Sequence, residues 1–260
     1  MGASAGAGVR TERAADGRRL RVVLDGPRGH VITDRAVGAM REALRTVPDQ
    51  PSLRLVTLEA DGPDFSFGSS IEEHTPATIG AVLPRFHDLV REWLAVPCAT
   101  AALVQGRCLG GGFELALCCD VIFAADDADL GLPEIALGVF PPAGAVLLPA
   151  RIGTARATTA VLTGESRPAA AWQAAGLVER TAPAGALGTM VDEWYARHLS
   201  GRSATALGHA ARAARLALAD TVARLLPESE RRYLRELMQA PDAAEGIAAF
   251  LARRPPNWSA

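Results

Sequence analysis

Two glutamates lie in segments of this sequence that are otherwise almost entirely apolar. Glu114 is part of GGGFELALCC, and Glu134 is part of LGLPEIALGVFPPAG. A buried carboxylate is costly unless it is paired, hydrogen-bonded or neutralised. Each residue has an ordinary explanation, because a helix N-terminus can stabilise a first-turn Glu114 and Glu134 can be a surface point on a loop. Two carboxylates in two apolar, glycine-marked segments also suit a general acid and a general base.

Three successive glycines, residues 110–112, stand directly before Glu114 at the predicted start of a helix. Glycines let the backbone come close to a ligand, and the first N–H groups of a helix have no intrahelical acceptor. Such groups can bind an anion or a developing oxyanion. A phosphate-binding P-loop is excluded, because the chain contains no lysine and its 27 basic residues are all arginine. The dinucleotide-binding pattern Gly-x-Gly-x-x-Gly does not fit either.

The loop FSFGSSIEEH, residues 65–74, is a third candidate segment, since it is a poor core sequence. Gly68 is expected to take a backbone conformation closed to other residues. The plainer interpretation is a surface loop with two phenylalanines turned inward. A serine nucleophile is disfavoured, because no Gly-x-Ser-x-Gly motif occurs. The five histidines have neither triad nor metal spacing, and the four cysteines, which form no Cys-x-x-Cys pair, are expected to be reduced core residues.

Hydrophobic periodicity predicts an alternation of strands and helices around these segments. The expected strands are 19–24, 53–59, 99–104 and 121–124. The expected helices are 33–47, 81–95, 113–119, 141–151, 154–163, 168–175, 184–199, 203–222, 228–239 and 242–252. This order predicts an α/β core followed by a C-terminal helical subdomain. The predicted organisation is a disordered leader over 1–17, a core over 18–200 and the helical subdomain over 201–260.

The composition narrows the class of protein. The 260 residues are 49% hydrophobic and 22% charged, which is ordinary for one sizeable globular domain. The formal net charge is −2, so no basic surplus favours nucleic acid as a partner. No apolar stretch long enough to span a membrane is free of charge, so no membrane association is expected. Residues 1–8 lack the basic start of a signal peptide, and we therefore expect a cytoplasmic protein.

From about residue 18 to residue 258, the chain resembles the crotonase (enoyl-CoA hydratase/isomerase) superfamily. The segments that carry the resemblance, in the family's order, are DFSFGSSIEEH, ALVQGRCLGGGFELALCCDVIFA, ADLGLPEIALGVFPPAG, RIGTARATTAVLTGESRPAAAWQAAGLVERTAP and EGIAAFLARRPPNW. The resemblance implies a crotonase-like spiral of ββα units and an enzyme acting on an acyl-CoA thioester. It implies no metal and no cofactor beyond the coenzyme A of the substrate. It also implies a homotrimer, or a hexamer built as a dimer of trimers.

The family pattern also carries over to single positions. It implies that the backbone N–H groups of Ser69 and Gly111 form an oxyanion hole for the thioester carbonyl. By the same resemblance, Glu114 would activate water and Glu134 would deliver a proton to the α-carbon. The implied substrate-binding residues are Phe67, Gly68, Ile71, His74, Gly110, Leu137, Phe140 and Pro142. The implied CoA-binding residues are Arg28, Ser66, Phe250 and Arg253.

Within the superfamily, FSFGSSIEEH, CLGGGFELAL and PEIALGVFPPAGAVLLP are most similar to the cyclohexa-1,5-diene-1-carbonyl-CoA hydratases, which act on an alicyclic dienoyl thioester. Ser70 stands where Asp is usual, Gln105 where Asn is usual, and Pro142 where Gly often lies. These departures disfavour straight-chain 2-enoyl substrates more than they disfavour hydration. The alternatives are double-bond isomerisation or C–C hydrolysis at the same oxyanion hole, and a non-catalytic scaffold, which two intact glutamates disfavour.

Overall fold

The fold is built on two β-sheets, seen in a computed structural model that describes residues 8–259 apart from the side chain of Arg28. The strands are β1 Val9–Arg13, β2 Arg19–Leu24, β3 Leu55–Ala60, β4 Ala99–Val104, β5 Arg107–Leu109, β6 Val121–Ala125, β7 Asp129–Gly131, β8 Arg167–Pro168 and β9 Arg180–Ala182. The larger sheet has the order β1-β2-β3-β4-β6-β9 and is parallel except for the β1–β2 pair. The smaller sheet has the order β5-β7-β8.

The central strands β3 and β4 read LVTLEA and ATAALV, and each is buried at all but one terminal residue. A parallel strand covered on both faces needs such a nearly continuous apolar run. The register aligns the strand ends, with Leu58 beside Ala102 and Leu103 beside Phe123. The loops after β3, β4 and β6 therefore leave the sheet at one edge, and these loops carry the candidate segments of the sequence.

Strand β1 corrects the prediction of a disordered leader over residues 1–17. Residues 1–7 lie outside the described residues, but Val9–Arg13 pairs along its whole length with β2 in antiparallel register. Val9 is buried, and Arg10 forms an ion pair with Asp61 across the sheet. This edge strand has five residues and one buried apolar side chain. Its alternation of apolar and polar residues is therefore too short to be recognised from the sequence.

Helices cover both faces of the larger sheet and continue beyond it. They are α1 Pro27–His30, α2 Asp34–Arg45, α3 Ile79–Leu94, α4 Gly111–Leu117, α5 Gly144–Ile152, α6 Thr154–Thr163, α7 Ala169–Ala174, α8 Leu187–His198, α9 Ala204–Arg235 and α10 Pro241–Leu251. Short 3₁₀ turns lie at Ile71–Glu73, Pro133–Leu137, Ala184–Ala186 and Leu237–Gln239. None of the helices in the described part of the chain is both long and apolar enough to cross a membrane.

Helix α9 is one continuous element of 32 residues, where the sequence predicted two helices, 203–222 and 228–239. Pro227 lies inside it and costs about 3 kcal/mol relative to alanine. The helix continues because Val222, Leu226 and Tyr233 keep one buried face across the proline. Burial of such side chains contributes roughly 1.5–3 kcal/mol each, which outweighs the loss.

The C-terminal helices share their packing with the α/β core. Val222 and Leu226 of α9 belong to the main hydrophobic core. A second cluster joins α3, α9 and α10 through Leu83, Tyr233 and Ile247. This second cluster forms one wall of the functional site described below. The boundary at residue 200 falls between α8 and α9, and the three-part division of the chain stays a prediction.

Candidate functional site

A cavity of about 550 Å³ opens where the loops after β3, β4 and β6 meet α3, α9 and α10. It is the natural place to look for a ligand, because binding sites are concave and mostly apolar with a few placed polar groups. The predicted site residues that line it are Phe67, Gly68, Ser69, Ile71, His74, Gly110, Gly111, Glu114, Glu134, Leu137, Phe140, Pro142 and Phe250. Four separate segments of the sequence are thus brought to one cavity by the fold.

Glu114 lies in the first turn of α4 and is only 4% exposed. Its Oε1 accepts a hydrogen bond of 2.6 Å from the backbone N–H of Gly144, the first residue of α5. The ordinary explanation for a buried Glu114 was that the N-terminus of its own helix stabilises the carboxylate. The observed contact is with the N-terminus of a different helix, whose free N–H groups favour a negative charge.

Glu134 lies in the 3₁₀ turn that follows β7, and its environment differs from that of Glu114. Its Oε2 is buried and has no hydrogen-bond partner among the residues that the structure describes. Its Oε1 lies close to Gly110, where an added Cβ would come within 2.8 Å of it. A buried carboxyl oxygen without a partner is costly, so a ligand or water in the cavity is its expected partner.

Burial changes the ionisation of both carboxyl groups. Loss of solvent raises the pKa of Glu114 to about 7, while backbone N–H groups of Gly144 and Ala143 oppose the rise. Burial, followed by the nearby charge of Glu114, raises the pKa of Glu134 well above its usual range. Two adjacent carboxylates resist carrying two charges, so the pair retains a proton at neutral pH. Hydrogen bonds from N–H groups favour the charged form of Glu114, so the rise in pKa is larger at Glu134.

The loop over residues 66–70 is held between two other segments by backbone hydrogen bonds. The N–H of Ile32 donates to the carbonyl oxygen of Gly68, and the N–H of Ser70 donates to that of Ile32, both at 2.9 Å. Gly68 has a φ of +94°, in the region that favours glycine. A Cβ there would lie 3.0 Å from the carbonyl oxygen of Leu109. The predicted special conformation of Gly68 is therefore confirmed.

The backbone N–H groups of Ser69 and Gly111 lie side by side at the cavity wall. A Cβ on Gly111 would lie 3.3 Å from the backbone nitrogen of Ser69 and would also meet its Oγ. Within residues 8–259, neither N–H donates a hydrogen bond. Gly111 is the first residue of α4, so its N–H has no acceptor within the helix. The two backbone nitrogens are thus neighbours, and both residues line the cavity.

The cavity opening combines exposed aromatic rings with arginines. Phe67 and Phe250 both line the cavity and are 42% and 54% exposed. The guanidinium carbon of Arg107 lies 5.7 Å from the centroid of the Phe67 ring. Arg254 also lines the cavity, where Glu245 holds its guanidinium through two hydrogen bonds. Both arginines lie in segments that carry the family resemblance, but neither was among the predicted CoA-binding residues.

Two predicted CoA-binding residues, Ser66 and Arg253, are not among the described residues that line the cavity. Arg253 is exposed, and it is its neighbour Arg254 that lines the cavity. Ser66 is fully buried: its Oγ donates to the carbonyl oxygen of His30 and accepts from the N–H of Gly68. Ser66 thus stabilises the loop over residues 66–70 by linking Gly68 to His30 through hydrogen bonds. The side chain of Arg28 lies outside the described residues.

Tyr233 of α9 lines the cavity together with both glutamates, and sequence reasoning missed it. Its ring packs edge-on against Phe140 with centroids 5.5 Å apart and is 1% exposed. One turn earlier, the hydroxyl of Ser229 donates to the carbonyl oxygen of Pro142 at 2.8 Å. Residues 229 and 233 share a face of the predicted helix 228–239, but no local pattern indicates that this face meets the cavity.

His74 is a neutral wall residue of the cavity. Its Nδ1 donates to the carbonyl oxygen of Ser70 at 2.7 Å, and burial lowers its pKa. Across the described residues, no group of three or more His, Cys, Asp or Glu side chains is placed to hold a metal ion. Besides His74, the buried titratable groups that line the cavity are the two glutamates and the phenol of Tyr233.

Known proteins resemble this chain over most of its length. The family model described as enoyl-CoA hydratase/isomerase matches residues 20–260. Cyclohexa-1,5-dienecarbonyl-CoA hydratase of Thauera aromatica is 40% identical over 243 residues, which cover 94% of this chain and 93% of that protein. The 2,3-dehydroadipyl-CoA hydratase of Escherichia coli is 40% identical over 220 residues, with 83% and 84% covered.

A solved structure supports the same assignment. The crystal structure of an enoyl-CoA hydratase from Mycobacterium avium subsp. paratuberculosis superposes with a TM-score of 0.86 at 29% identity, over 97% of this chain and 99% of that one. The predicted α/β spiral with C-terminal helices is confirmed by this agreement. The chain therefore belongs to the enoyl-CoA hydratase/isomerase family of the crotonase superfamily and is an enzyme of the enoyl-CoA hydratase type.

Proposed function

We propose that this enzyme adds water to a conjugated enoyl- or dienoyl-CoA thioester whose acyl group is alicyclic. The observation that carries the proposal is the meeting of two buried carboxyl groups with two free N–H groups in one cavity. Hydration needs both, because water must lose a proton while carbon gains one and negative charge develops on the carbonyl oxygen.

In the proposed reaction, the thioester carbonyl accepts hydrogen bonds from the N–H groups of Ser69 and Gly111. Glu114 takes a proton from water as the water oxygen bonds to the conjugated carbon. The electron pair of the double bond moves toward the carbonyl, giving an enolate, and Glu134 gives its proton to the α-carbon. One proton then passes from Glu114 to Glu134 and restores the starting state. The N–H contacts of Glu114 and the unpartnered Oε2 of Glu134 support this division of roles.

The coenzyme A part of the substrate is assigned to the cavity opening. The phosphates are proposed to contact Arg107 and Arg254, and the adenine ring to pack on Phe250. Arg254 is already fixed by Glu245, so its charge is positioned before the ligand arrives. No separate cofactor is proposed, because coenzyme A belongs to the substrate.

The alicyclic acyl group is assigned to the inner part of the cavity. Ile71, Leu137, Phe140 and Pro142 line it with apolar surface, and Pro142 is buried and rigid. Phe140 offers an aromatic wall to a planar ring. The Thauera aromatica relative is named for a cyclic dienoyl thioester, which supports the same choice.

We further propose a homotrimer or a dimer of trimers in the cytoplasm. Leu216 and Leu225 of α9 are 68% and 45% exposed, which suits a helical face covered by another subunit. The four cysteines are all unpaired, which suits a reducing compartment. Light scattering at micromolar concentration is expected to give at least three times the monomer mass, and a monomer mass would contradict this proposal.

The experiment incubates the purified enzyme with a panel of cyclic and linear enoyl-CoA thioesters in ¹⁸O-labelled water, followed by mass spectrometry. Hydration adds labelled water, whereas double-bond isomerisation leaves the mass unchanged and C–C hydrolysis splits the carbon skeleton. Both Glu114→Gln and Glu134→Gln are expected to lower kcat by at least about 100-fold with little change in thioester affinity. Unlabelled products of unchanged mass would show that the enzyme isomerises its substrate and does not hydrate it.

Glu193→Gln is the matched control for the two glutamate variants. Glu193 is exposed on α8 and is not among the residues that line the cavity. The control makes the same chemical change and is expected to leave kcat unaltered. Near-normal turnover in Glu114→Gln or Glu134→Gln would remove that residue from the mechanism.

A further inference from the structure

Tyr233 is a buried titratable residue that lines the cavity together with both glutamates, and the reaction described above does not use it. Its ring is held by Phe140 and by the cluster that joins α3, α9 and α10. The phenol oxygen donates no hydrogen bond to any group in the described part of the chain. The phenol oxygen is nevertheless not one of the fully buried polar atoms without a partner, so it keeps some accessible surface. This surface faces the cavity that Tyr233 lines. A phenol in such a position normally has a hydrogen-bond partner.

The position of Tyr233 relative to the glutamates follows from its helix. Ser229, one turn earlier on the same face of α9, is bonded to the carbonyl oxygen of Pro142. Two residues further along the chain, the N–H of Gly144 is bonded to Glu114. Helix α9 is thereby fixed to the segment that holds Glu114. Burial, with the charges of Glu134 and Glu114 after it, raises the pKa of Tyr233, so the phenol keeps its proton.

We propose that the Tyr233 hydroxyl donates a hydrogen bond to the oxygen of the reacting water and of the hydroxyl group that this water becomes. This inference rests on the proposed hydration. A water molecule between the two glutamates donates its hydrogens to carboxyl oxygens and directs one lone pair at the carbon that it attacks. The second lone pair then needs a donor, because ionised Glu114 can only accept and the proton of Glu134 is directed to the α-carbon in the proposed reaction.

Other uncharged donors line the cavity, but they come from a different wall. Ser69 and His74 lie on the loop over residues 65–74, and Thr33 precedes α2. Tyr233 alone approaches from α9, beside the acyl wall formed with Phe140. Its bond strengthens as the water oxygen loses a proton and gains negative charge, so it favours the transition state over bound substrate.

The test compares Tyr233→Phe with Tyr195→Phe. These are the two tyrosines of the chain, and the hydroxyl of Tyr195 bonds Asp16 at 3.3 Å, away from the cavity. Tyr233→Phe keeps the ring and its packing and removes the donor. Its kcat is expected to fall at least about 10-fold with KM changed by less than about threefold. Tyr195→Phe is expected to keep the wild-type kcat.

A binding measurement separates this role from a merely structural one. Tyr233→Phe is expected to weaken the binding of the hydroxyacyl-CoA product at least about fivefold. A saturated acyl-CoA of the same carbon skeleton is expected to bind with unchanged affinity. Equal weakening of both ligands would assign Tyr233 to packing and overturn the proposal, as would wild-type kcat and product affinity.

A spectroscopic signature completes the test. In the Tyr195→Phe background, ¹³Cζ-tyrosine labelling leaves Tyr233 as the single labelled residue. Its resonance is expected to shift with the hydroxyacyl ligand and to stay in place with the saturated one; equal shifts with both would overturn the proposal. A wild-type enzyme that hydrates no thioester would instead overturn the proposed function, so the two failures are distinguishable.

Discussion

The Oε1 atom of Glu134 lies so close to Gly110 that a Cβ on residue 110 would be 2.8 Å from it. Gly110 has a φ of +50° and precedes α4 as its cap. Its N–H donates to the carbonyl oxygen of Gly131 at 2.9 Å, in the strand that leads to Glu134. The glycine thus connects the α4 entrance to the glutamate segment and leaves room for the carboxyl group.

Gly110→Ala is expected to lower kcat by about 100-fold, because the methyl group must displace the Glu134 carboxyl and a shift of 1 Å in a reacting group costs about this much. Steady-state kinetics on the preferred thioester measures the effect. Gly176→Ala is the control, since Gly176 has a φ of +79° and nothing within 4 Å of its added Cβ. Both glycines have a positive φ, so both variants carry a backbone strain of roughly 1–3 kcal/mol. Equal activity in the two would show that Gly110 does not position Glu134.

Ser69 and Gly111 allow a test of the oxyanion hole through backbone groups. Ser69→Ala keeps its N–H and is expected to stay within about threefold of wild-type kcat/KM. Gly111→Ala places a Cβ against the Ser69 Oγ and is expected to lose at least about 10-fold. The double variant removes that Oγ and should recover part of the loss, a coupling read from the double-mutant cycle. Additive effects would mean that the two residues are not in contact.

The glutamate pair predicts a bell-shaped dependence of kcat/KM on pH. The rate should rise as Glu114 ionises, with a pKa raised to about 7 by burial, and fall as Glu134 loses the proton that burial retains. Glu134→Gln should abolish the fall at high pH in its residual activity. A flat profile between pH values of about 6 and 9 would contradict the two roles.

The same pKa shifts predict how stability varies with pH. A carboxyl group whose pKa is raised in the folded state binds more protons there than in the unfolded chain. Its stabilising effect is full below the unfolded pKa of about 4.3 and is lost as pH rises through the folded pKa. The free energy of unfolding of Glu134→Gln, from denaturant titration, should therefore decline less with rising pH than that of the wild type. If the free energy of unfolding varied with pH in the same way in wild type and variant, the raised pKa of Glu134 would be refuted.

The acyl wall predicts substrate preference. Phe140, Pro142 and Leu137 shape a short apolar region in which a linear C4 chain would lack orientation. A cyclic dienoyl-CoA is expected to have a kcat/KM at least about 100-fold above that of crotonyl-CoA, equivalent to roughly 2.7 kcal/mol. Competition between the two thioesters in one reaction measures the ratio. A preference for crotonyl-CoA would reject the alicyclic substrate while leaving hydration in place.

The sequence by itself determined the central strands, most helices and the identity of the cavity segments. Strands such as 99–104 and helices such as 154–163 are local patterns, and the structure reproduces both ranges. Glu114 and Glu134 were recognisable because a carboxylate in an apolar segment is improbable without a function or a partner. Motifs of this kind are readable because each lies within one short run of sequence.

Tertiary structure decided which groups meet. The bond from Gly144 to Glu114, the place of Gly110 beside Glu134 and the arrival of Tyr233 at the cavity all join residues far apart in the chain. Strand β1 is stabilised by its pairing with β2, and α9 continues through Pro227 because its neighbours bury the face beyond it. Periodicity records only which face of an element is apolar, whereas pairing and burial depend on what the rest of the chain places against that face.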